Sequence, residues 1–228
     1  MSASENIPDV ALPCGHQAHA CPLCGAADSH LIEVAGRRYH RCHVCRSVQL
    51  DPRQRLDAVA ERAEYDRHCN DPADLRYRAF LARSLHELQV RFAPPARGLD
   101  FGCGPGPALV AMAREAGYRM DAYDPFYRPD QTVFEQRYDF ITCTEVVEHL
   151  FAPRAVLDRL WHMLLPGGAL VIQTQRVLDD ARFRNWNYHR DPTHVVFFSV
   201  ASFAWLAARW GASLALPQRD VAVLEKRT

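Results

Sequence analysis

The stretch LDFGCGPGPALV, Leu99 to Val110, sets Gly102, Gly104 and Gly106 between two apolar runs, with Asp100 just ahead of them. Glycine adopts positive φ without strain and lets a backbone approach a ligand closely. A glycine turn of this kind leaves a strand and opens a helix. The chain beyond it keeps alternating. RGLDFG reads as a strand, and PALVAMAREAG as a helix stopped by Gly117. YRMDAYD and YDFITCT are strands. APRAVLDRLWHMLLPGG is a helix with Leu157, Leu160, Trp161 and Leu164 on one face, stopped at Pro166-Gly167-Gly168. ALVIQTQ is a strand, ASFAWLAARWG a helix, and ASLALPQ with VAVLEKR a terminal strand pair. This alternation predicts a mostly parallel sheet covered by helices on both faces.

Upstream the pattern changes. Residues 1–13 read as a flexible leader. Residues 14–52 hold five of the eight cysteines. Cys21 and Cys24 form one C-x2-C pair, Cys42 and Cys45 another, with 17 residues between them. That is the two-knuckle spacing of a zinc ribbon, and four thiolates complete the tetrahedron that structural Zn²⁺ prefers. So short a segment buries little core, and metal binding would supply its folding energy. Cys14, His16, His19, His40 and His43 are spare candidates, read as surface or outer-sphere residues. Residues 53–94 read as a helical linker or lid, because Tyr77, Phe80, Leu81, Leu85, Leu88 and Phe92 form one helical stripe that ends at APPARG. Residues 95–228 form the α/β domain. Cys69, Cys103 and Cys143 read as unreactive, since no base stands out beside them.

Asp124 ends the strand after the glycine loop, where a ribose diol needs a carboxylate acceptor. LDFGCGPG, YDP, YDFITCTEVVEHL and LLPGGALVIQT, in this order, resemble the motifs of class I S-adenosylmethionine-dependent methyltransferases. The resemblance implies a Rossmann-like sheet, mostly parallel with the terminal antiparallel strand pair, plus the small N-terminal zinc ribbon. It implies that Asp100, Gly102, Gly104 and Gly106 hold the methionine and ribose of the cofactor, that Asp124 accepts the ribose hydroxyls, and that Phe126 lies against adenine. Thr144 joins this cofactor set at the end of its strand. The chain departs from the family between Asp124 and the next strand, where only PFYRPDQTVFEQR intervenes. TVFEQ is the candidate for the missing edge strand, with almost no helix before it.

TEVVEHL, Thr144 to Leu150, follows the central strand, and ligands in open α/β sheets sit at such strand ends. On a helix, Glu145, Glu148 and His149 share one face. With His194 they resemble the metal-dependent subset of these enzymes, which includes small-RNA 2′-O-methyltransferases and, in part, ubiquinone-pathway O-methyltransferases. The resemblance makes Glu145, Glu148, His149 and His194 ligands of Mg²⁺ or Mn²⁺, with His189 the competitor of His194. It casts His149, Glu145 and His194 as catalytic. A bound divalent ion lowers the pKa of an acceptor hydroxyl, and a histidine takes its proton. The same acids also suit a helix start with no metal at all. In RFRNWNYHRDPTH, Trp186 and Tyr188 can enclose an acceptor, and Arg182, Arg184 and Arg190 can meet phosphate or carboxylate. The helix near Tyr65 and His68 is a candidate to close over the cofactor from the other side.

The formal net charge of +0 argues against a whole-chain footprint for nucleic acid. Arg37, Arg38, Arg41 and Arg46 nevertheless make the cysteine segment locally basic. Three functions follow: methylation of a small-molecule or sugar hydroxyl, or of a sugar carbon; methylation of RNA gripped by the ribbon; or cofactor binding without catalysis. VVFFSVASFAWLAARW is broken by serines and Arg209 and reads as a buried helix rather than a membrane span. With no signal-peptide layout at the start, the expectation is a cytoplasmic protein with no membrane partner. Oligomeric state stays open.

Overall fold

The computed structural model describes residues 20–67 and 71–228. The leader, Cys14, His16, His19, His68 and Cys69 lie outside the described residues. The cysteine segment forms the hairpin β1 (Ser29–Val34) and β2 (Arg37–Cys42), followed by β3 (Val48–Leu50). Ala35 and Gly36 join the hairpin with φ of 52° and 77°. Positive φ at both central residues is the two-residue turn whose twist matches antiparallel strands. Two helices follow. Asp57 caps α1 (Ala58–Tyr65) and Asp74 caps α2 (Leu75–Gln89), each carboxylate accepting from exposed amides of the first turn.

The α/β part continues with β4 (Arg97–Phe101), α3 (Ala108–Glu115), β5 (Arg119–Tyr123), β6 (Tyr138–Thr144), α4 (Pro153–Met163) and β7 (Leu164–Gln173). It closes with α5 (Asp180–Arg184), β8 (Val196–Phe197), α6 (Val200–Trp210), β9 (Ser213–Gln218) and β10 (Val221–Glu225). The large sheet runs β5-β4-β6-β7-β10-β9. The pairs from β5 to β7 are parallel, and β10 is antiparallel to both β7 and β9. The expected mixed sheet is therefore present.

Side-chain alternation shows why these strands are apolar throughout. On β7, Ala169 and Val171 pack with Leu88, Val110 and Met120 on the face covered by α2 and α3. Leu170 and Ile172 pack with Leu157, Leu160, Phe203 and Leu206 on the face covered by α4 and α6. A strand buried on both faces needs no polar alternation. Cys21, Leu23, Ile32 and Tyr39 belong to the second of these cores.

Four expectations change. TVFEQ is not an edge strand: Gln131–Glu135 is a 3₁₀ turn capped by Asp130, and β5 is the sheet edge. Thirteen residues cannot cross over and return as another strand. The helix ends at Met163, so Leu164 opens β7 rather than closing α4. VVFF contributes β8, and the helix begins only at Val200. The cysteine segment is also not a separate ribbon. Its sheet runs β1-β2-β3-β8, taking its fourth strand from the far end of the chain. Among the described residues no helix is long and apolar enough to cross a membrane.

Candidate functional site

The carboxyl ends of β4, β5 and β6 frame a cavity of about 480 Å³. That is within the usual range for a small-molecule site. Gly102 and Gly104 line it with φ of 78° and 64°. A Cβ on Gly102 would fall 2.4 Å from Val146 Cγ2, so both the conformation and the space exclude a side chain. Asp124, at the end of β5, is buried and lines the same cavity. Gly104 N–H donates to its Oδ2 at 3.0 Å, and the amides of Phe126 and Tyr127 donate to its Oδ1 at 2.9 and 3.1 Å. These bonds fix the carboxylate, and Oδ2, which accepts one of them, keeps capacity for another. Phe126 and Thr144 also line the cavity.

Two members of the expected cofactor set stand back from it. Gly106 is not part of the wall, and its carbonyl accepts from Ala108 N at 2.8 Å as α3 begins. Asp100 turns away and accepts from the Thr142 hydroxyl at 2.7 Å. Burial pushes the Asp100 carboxyl up to about 6. Cys103 lies in the loop, but burial raises its thiol to about 12, which makes it a poor nucleophile.

The roof comes from the two helices before the sheet. Glu61 and Tyr65 of α1 and Tyr77 and Phe80 of α2 line the cavity. The Tyr65 ring lies 5.6 Å from Phe126 and 5.3 Å from His149. Tyr65 of α1 thus lines the cavity wall. Tyr77 and Phe80 read in sequence only as an apolar stripe, because the aromatic end of a core stripe looks the same as a pocket wall. Glu61, Arg159 and Asp191 also line the cavity, and no spacing singled them out.

The segment TEVVEHL does not form a helix face. Glu145 has φ of 51°, and Val147–His149 make one 3₁₀ turn. Its side chains consequently split. Glu148, His149 and His194 bring ligand atoms within 4.8 Å of one another, and Glu145 is outside this group. Both histidines are oriented by main-chain carbonyls. His149 Nδ1 meets Thr193 O at 3.2 Å, and His194 Nδ1 meets Tyr188 O at 2.7 Å. A carbonyl only accepts, so Nδ1 carries a proton in each ring and Nε2 is the nitrogen turned away from that bond. Burial pushes the His149 pKa down, which keeps that ring neutral. His189, the competitor, is buried beside Tyr39 and Phe183, away from the cluster.

Glu148 is completely buried. The Thr174 hydroxyl donates to its Oε2 at 3.0 Å, and Tyr188 OH meets its Oε1 closely. The same Tyr188 hydroxyl reaches Glu145 Oε2 at 3.0 Å. Burial, reinforced by Glu148, raises the Glu145 carboxyl to about 9. Its Oε1 is buried without a hydrogen-bond partner among the described residues, although Glu145 lines the cavity. Tyr188 therefore ties the two carboxyl groups together instead of lying open as an acceptor platform. Trp186 and Arg182 line a second cavity of about 510 Å³, between α5 and the β9–β10 turn. Arg184 and Arg190 are exposed.

In the cysteine segment the four sulfurs of Cys21, Cys24, Cys42 and Cys45 lie within 4.8 Å of one another. Cys21 and Cys45 are 3.5 Å apart, and Cys24 and Cys42 are 3.4 Å apart. Zinc–sulfur bonds of about 2.3 Å put the edges of a tetrahedron near ~3.8 Å, so small shifts suffice to seat Zn²⁺. The Cys24 amide and Gln49 Nε2 donate to Cys21 Sγ at 3.5 and 3.3 Å, as a thiolate requires. Of the spare histidines within the described chain, His43 contacts His30 at 2.9 Å, and His30 in turn meets Asp180 at 2.6 Å. Neither His40 nor His43 joins the sulfur cluster.

The family model described as "Methyltransferase domain" matches residues 73–215. The ubiquinone biosynthesis O-methyltransferase of Klebsiella pneumoniae (strain 342) is 29% identical over 90 residues, covering 40% of this chain and 37% of that protein. The enzyme of the same name from Erwinia tasmaniensis is 30% identical over 90 residues, with the same coverage. The matched part thus spans well under half the length of these relatives. Among solved structures, 1,6-didemethyltoxoflavin-N1-methyltransferase of Burkholderia thailandensis, with bound S-adenosylhomocysteine, aligns at TM-score 0.49 and 16% identity. That alignment covers 88% of this chain and all 100% of the other.

Proposed function

This chain belongs to the methyltransferase-domain family, and from that premise we propose that it transfers the methyl group of S-adenosylmethionine to a hydroxyl of a small-molecule or sugar acceptor. One observation carries the reading: a single cavity is lined on one side by Gly102, Gly104 and Asp124 and on the other by Glu145, His149 and His194. The first side suits a nucleoside with an amino-acid tail. Gly102 and Gly104 let the methionine part lie on bare backbone, Asp124 Oδ2 accepts a ribose hydroxyl, and Phe126 covers adenine. The second side suits an acceptor hydroxyl. A neutral histidine Nε2 can take its proton as the new O–CH₃ bond forms and the C–S bond of the sulfonium breaks. The tight aromatic roof holds the two reactants in line, and positioning of this kind lowers a barrier substantially for an already reactive donor.

Glu148, His149 and His194 are the residues that would hold Mg²⁺ or Mn²⁺, which when bound supplies the Lewis acidity that lowers the pKa of an acceptor hydroxyl. Cys21, Cys24, Cys42 and Cys45 would hold a structural Zn²⁺. The small-molecule acceptor is favoured over RNA by the fate of the basic residues. Arg41 is buried against Asp180, and Arg37 is spent on main-chain carbonyls, so half of the basic patch faces inward. The O-methyltransferase names of the partial relatives support an oxygen acceptor.

The test is calorimetric titration of S-adenosylmethionine, followed by transfer of a labelled methyl group into separate panels of phenols, sugars and short RNAs, with and without Mn²⁺. Cofactor binding with label in phenols or sugars is expected. Label found only in RNA would overturn the acceptor class. No cofactor binding in wild type would overturn the whole reading.

A further inference from the structure

The cysteine module reaches the acceptor side through Arg37, Tyr39 and Leu50. We infer that Arg37 is a positioning residue, whose guanidinium sets the loop that orients both histidines of the Glu148–His149–His194 cluster. The inference rests on the acceptor role proposed for that cluster. Arg37 Nη1 donates to the carbonyls of His189 and Asp191 at 3.0 and 3.3 Å, and Nη2 donates to Pro192 O at 3.2 Å. Three carbonyls within four consecutive residues are gathered by one planar fork, which a lysine ammonium cannot copy. The Tyr39 hydroxyl adds a fourth bond, to His189 O at 3.3 Å.

The clamped stretch has little regular structure of its own. It runs from a single 3₁₀ turn, Asn187–Arg190, to the two residues of β8. Yet it supplies both carbonyls that fix the histidines, from Tyr188 for His194 and from Thr193 for His149. Its far end is held by the same module. Leu50 N–H donates to Val195 O at 2.8 Å, and Val195 N–H donates to Glu148 O at 2.8 Å. Val195 thus links the β3 edge to the third member of the cluster. Arg37 pins the near end of the loop and β3 pins the far end, and His194 stands between them. Orienting groups behind a ligating or proton-accepting histidine matter almost as much as the histidine itself.

The experiment compares full-length wild type, Arg37→Met and Arg37→Lys. Arg37→Met keeps an unbranched apolar side chain and removes every donor, together with the guanidinium that lies 5.7 Å from the centre of the Tyr39 ring. Hydrogen–deuterium exchange is read on peptides within 187–198, together with zinc content, S-adenosylmethionine affinity, Mn²⁺ affinity and turnover of the best acceptor. For Arg37→Met, faster exchange in those peptides is expected, with zinc content and cofactor affinity unchanged. Mn²⁺ affinity and kcat are expected to fall about 10- to 100-fold, as for other supports of a metal or catalytic histidine, with KM for the cofactor unchanged. Arg37→Lys is expected to recover part of the loss. Unchanged exchange in 187–198 overturns the clamp. Faster exchange with unchanged Mn²⁺ affinity and turnover overturns the positioning role. If wild type neither binds Mn²⁺ nor methylates any acceptor, the functional reading fails, and the exchange data alone still decide whether Arg37 holds the loop.

Discussion

Asp100 has one hydroxyl, that of Thr142, to share its charge with, and only 4% of its surface reaches solvent. Its carboxyl is raised to about 6, against about 3.9 in an unfolded chain. Between those values the folded protein holds a proton that the unfolded chain has released. Stability is therefore greatest below about pH 4 and falls as pH rises through about 6. Asparagine keeps the shape and the acceptor oxygen without the charge. In cofactor-free protein, Asp100→Asn should gain roughly 2–3 kcal/mol relative to wild type between pH 4 and pH 7. Urea unfolding across that range measures it, and parallel pH curves would refute the burial argument. The two glutamates of TEVVEHL make a second residue-scale contrast. Glu148 is in the ligand cluster and Glu145 is not. Glu148→Gln should weaken Mn²⁺ at least ~10-fold, while Glu145→Gln leaves it nearly unchanged. Equal losses in the two variants would place Glu145 in the cluster after all.

The β4–α3 turn is the element on which cofactor binding depends. Gly102 takes φ of 78° with no room for a Cβ, because Val146 stands on the next strand's exit. Gly102→Ala should cost about 1–2 kcal/mol from backbone strain alone, and displacement of Val146 adds to that. Calorimetry should show S-adenosylmethionine affinity falling together with stability. Pairing it with Val146→Ala relieves the contact but not the φ, so only partial recovery is expected. Full recovery would mean that the steric contact, and not the backbone conformation, is what demands glycine. The β6 exit behaves differently. Glu145 adopts φ of 51° without being glycine, and its carboxyl group stays outside the Glu148–His149–His194 cluster. Positive φ at a non-glycine residue is uncommon and often marks a functional site.

At the scale of the whole molecule, the cysteine module is built into the domain. Cys21, Cys42 and Cys45 belong to the core cluster that contains Leu157, Leu160, Phe203 and Leu206. The hydroxyls of Ser199 and Ser202, at the start of α6, both donate to the carbonyl of Cys45, at 3.3 and 2.9 Å. Stripping a metal from these thiols should therefore lower the melting temperature of the entire chain in one transition, by on the order of 10 °C. Differential scanning calorimetry before and after chelation, with re-addition of Zn²⁺, checks this. Two separate transitions would show a module that folds alone.

The local chemistry of the sequence determined a good deal. Glycine spacing, strand-length apolar runs and helix stops depend on neighbours within a few residues, and they placed the glycine turn, the parallel strands, the antiparallel end of the sheet and Asp124. The paired cysteines came from spacing in the same way, and their sulfurs do converge. Periodicity misled where the backbone leaves its regular path. The i, i+3, i+4 spacing of Glu145, Glu148 and His149 implies a shared face only on a helix, and the 3₁₀ turn after a positive φ breaks that geometry. Only the tertiary structure could bring β8 to β3, choose His194 over His189, and set Arg37 against the carbonyls of His189, Asp191 and Pro192. Those contacts join residues about 150 positions apart. Their partners are main-chain atoms, which every residue carries and no sequence pattern distinguishes.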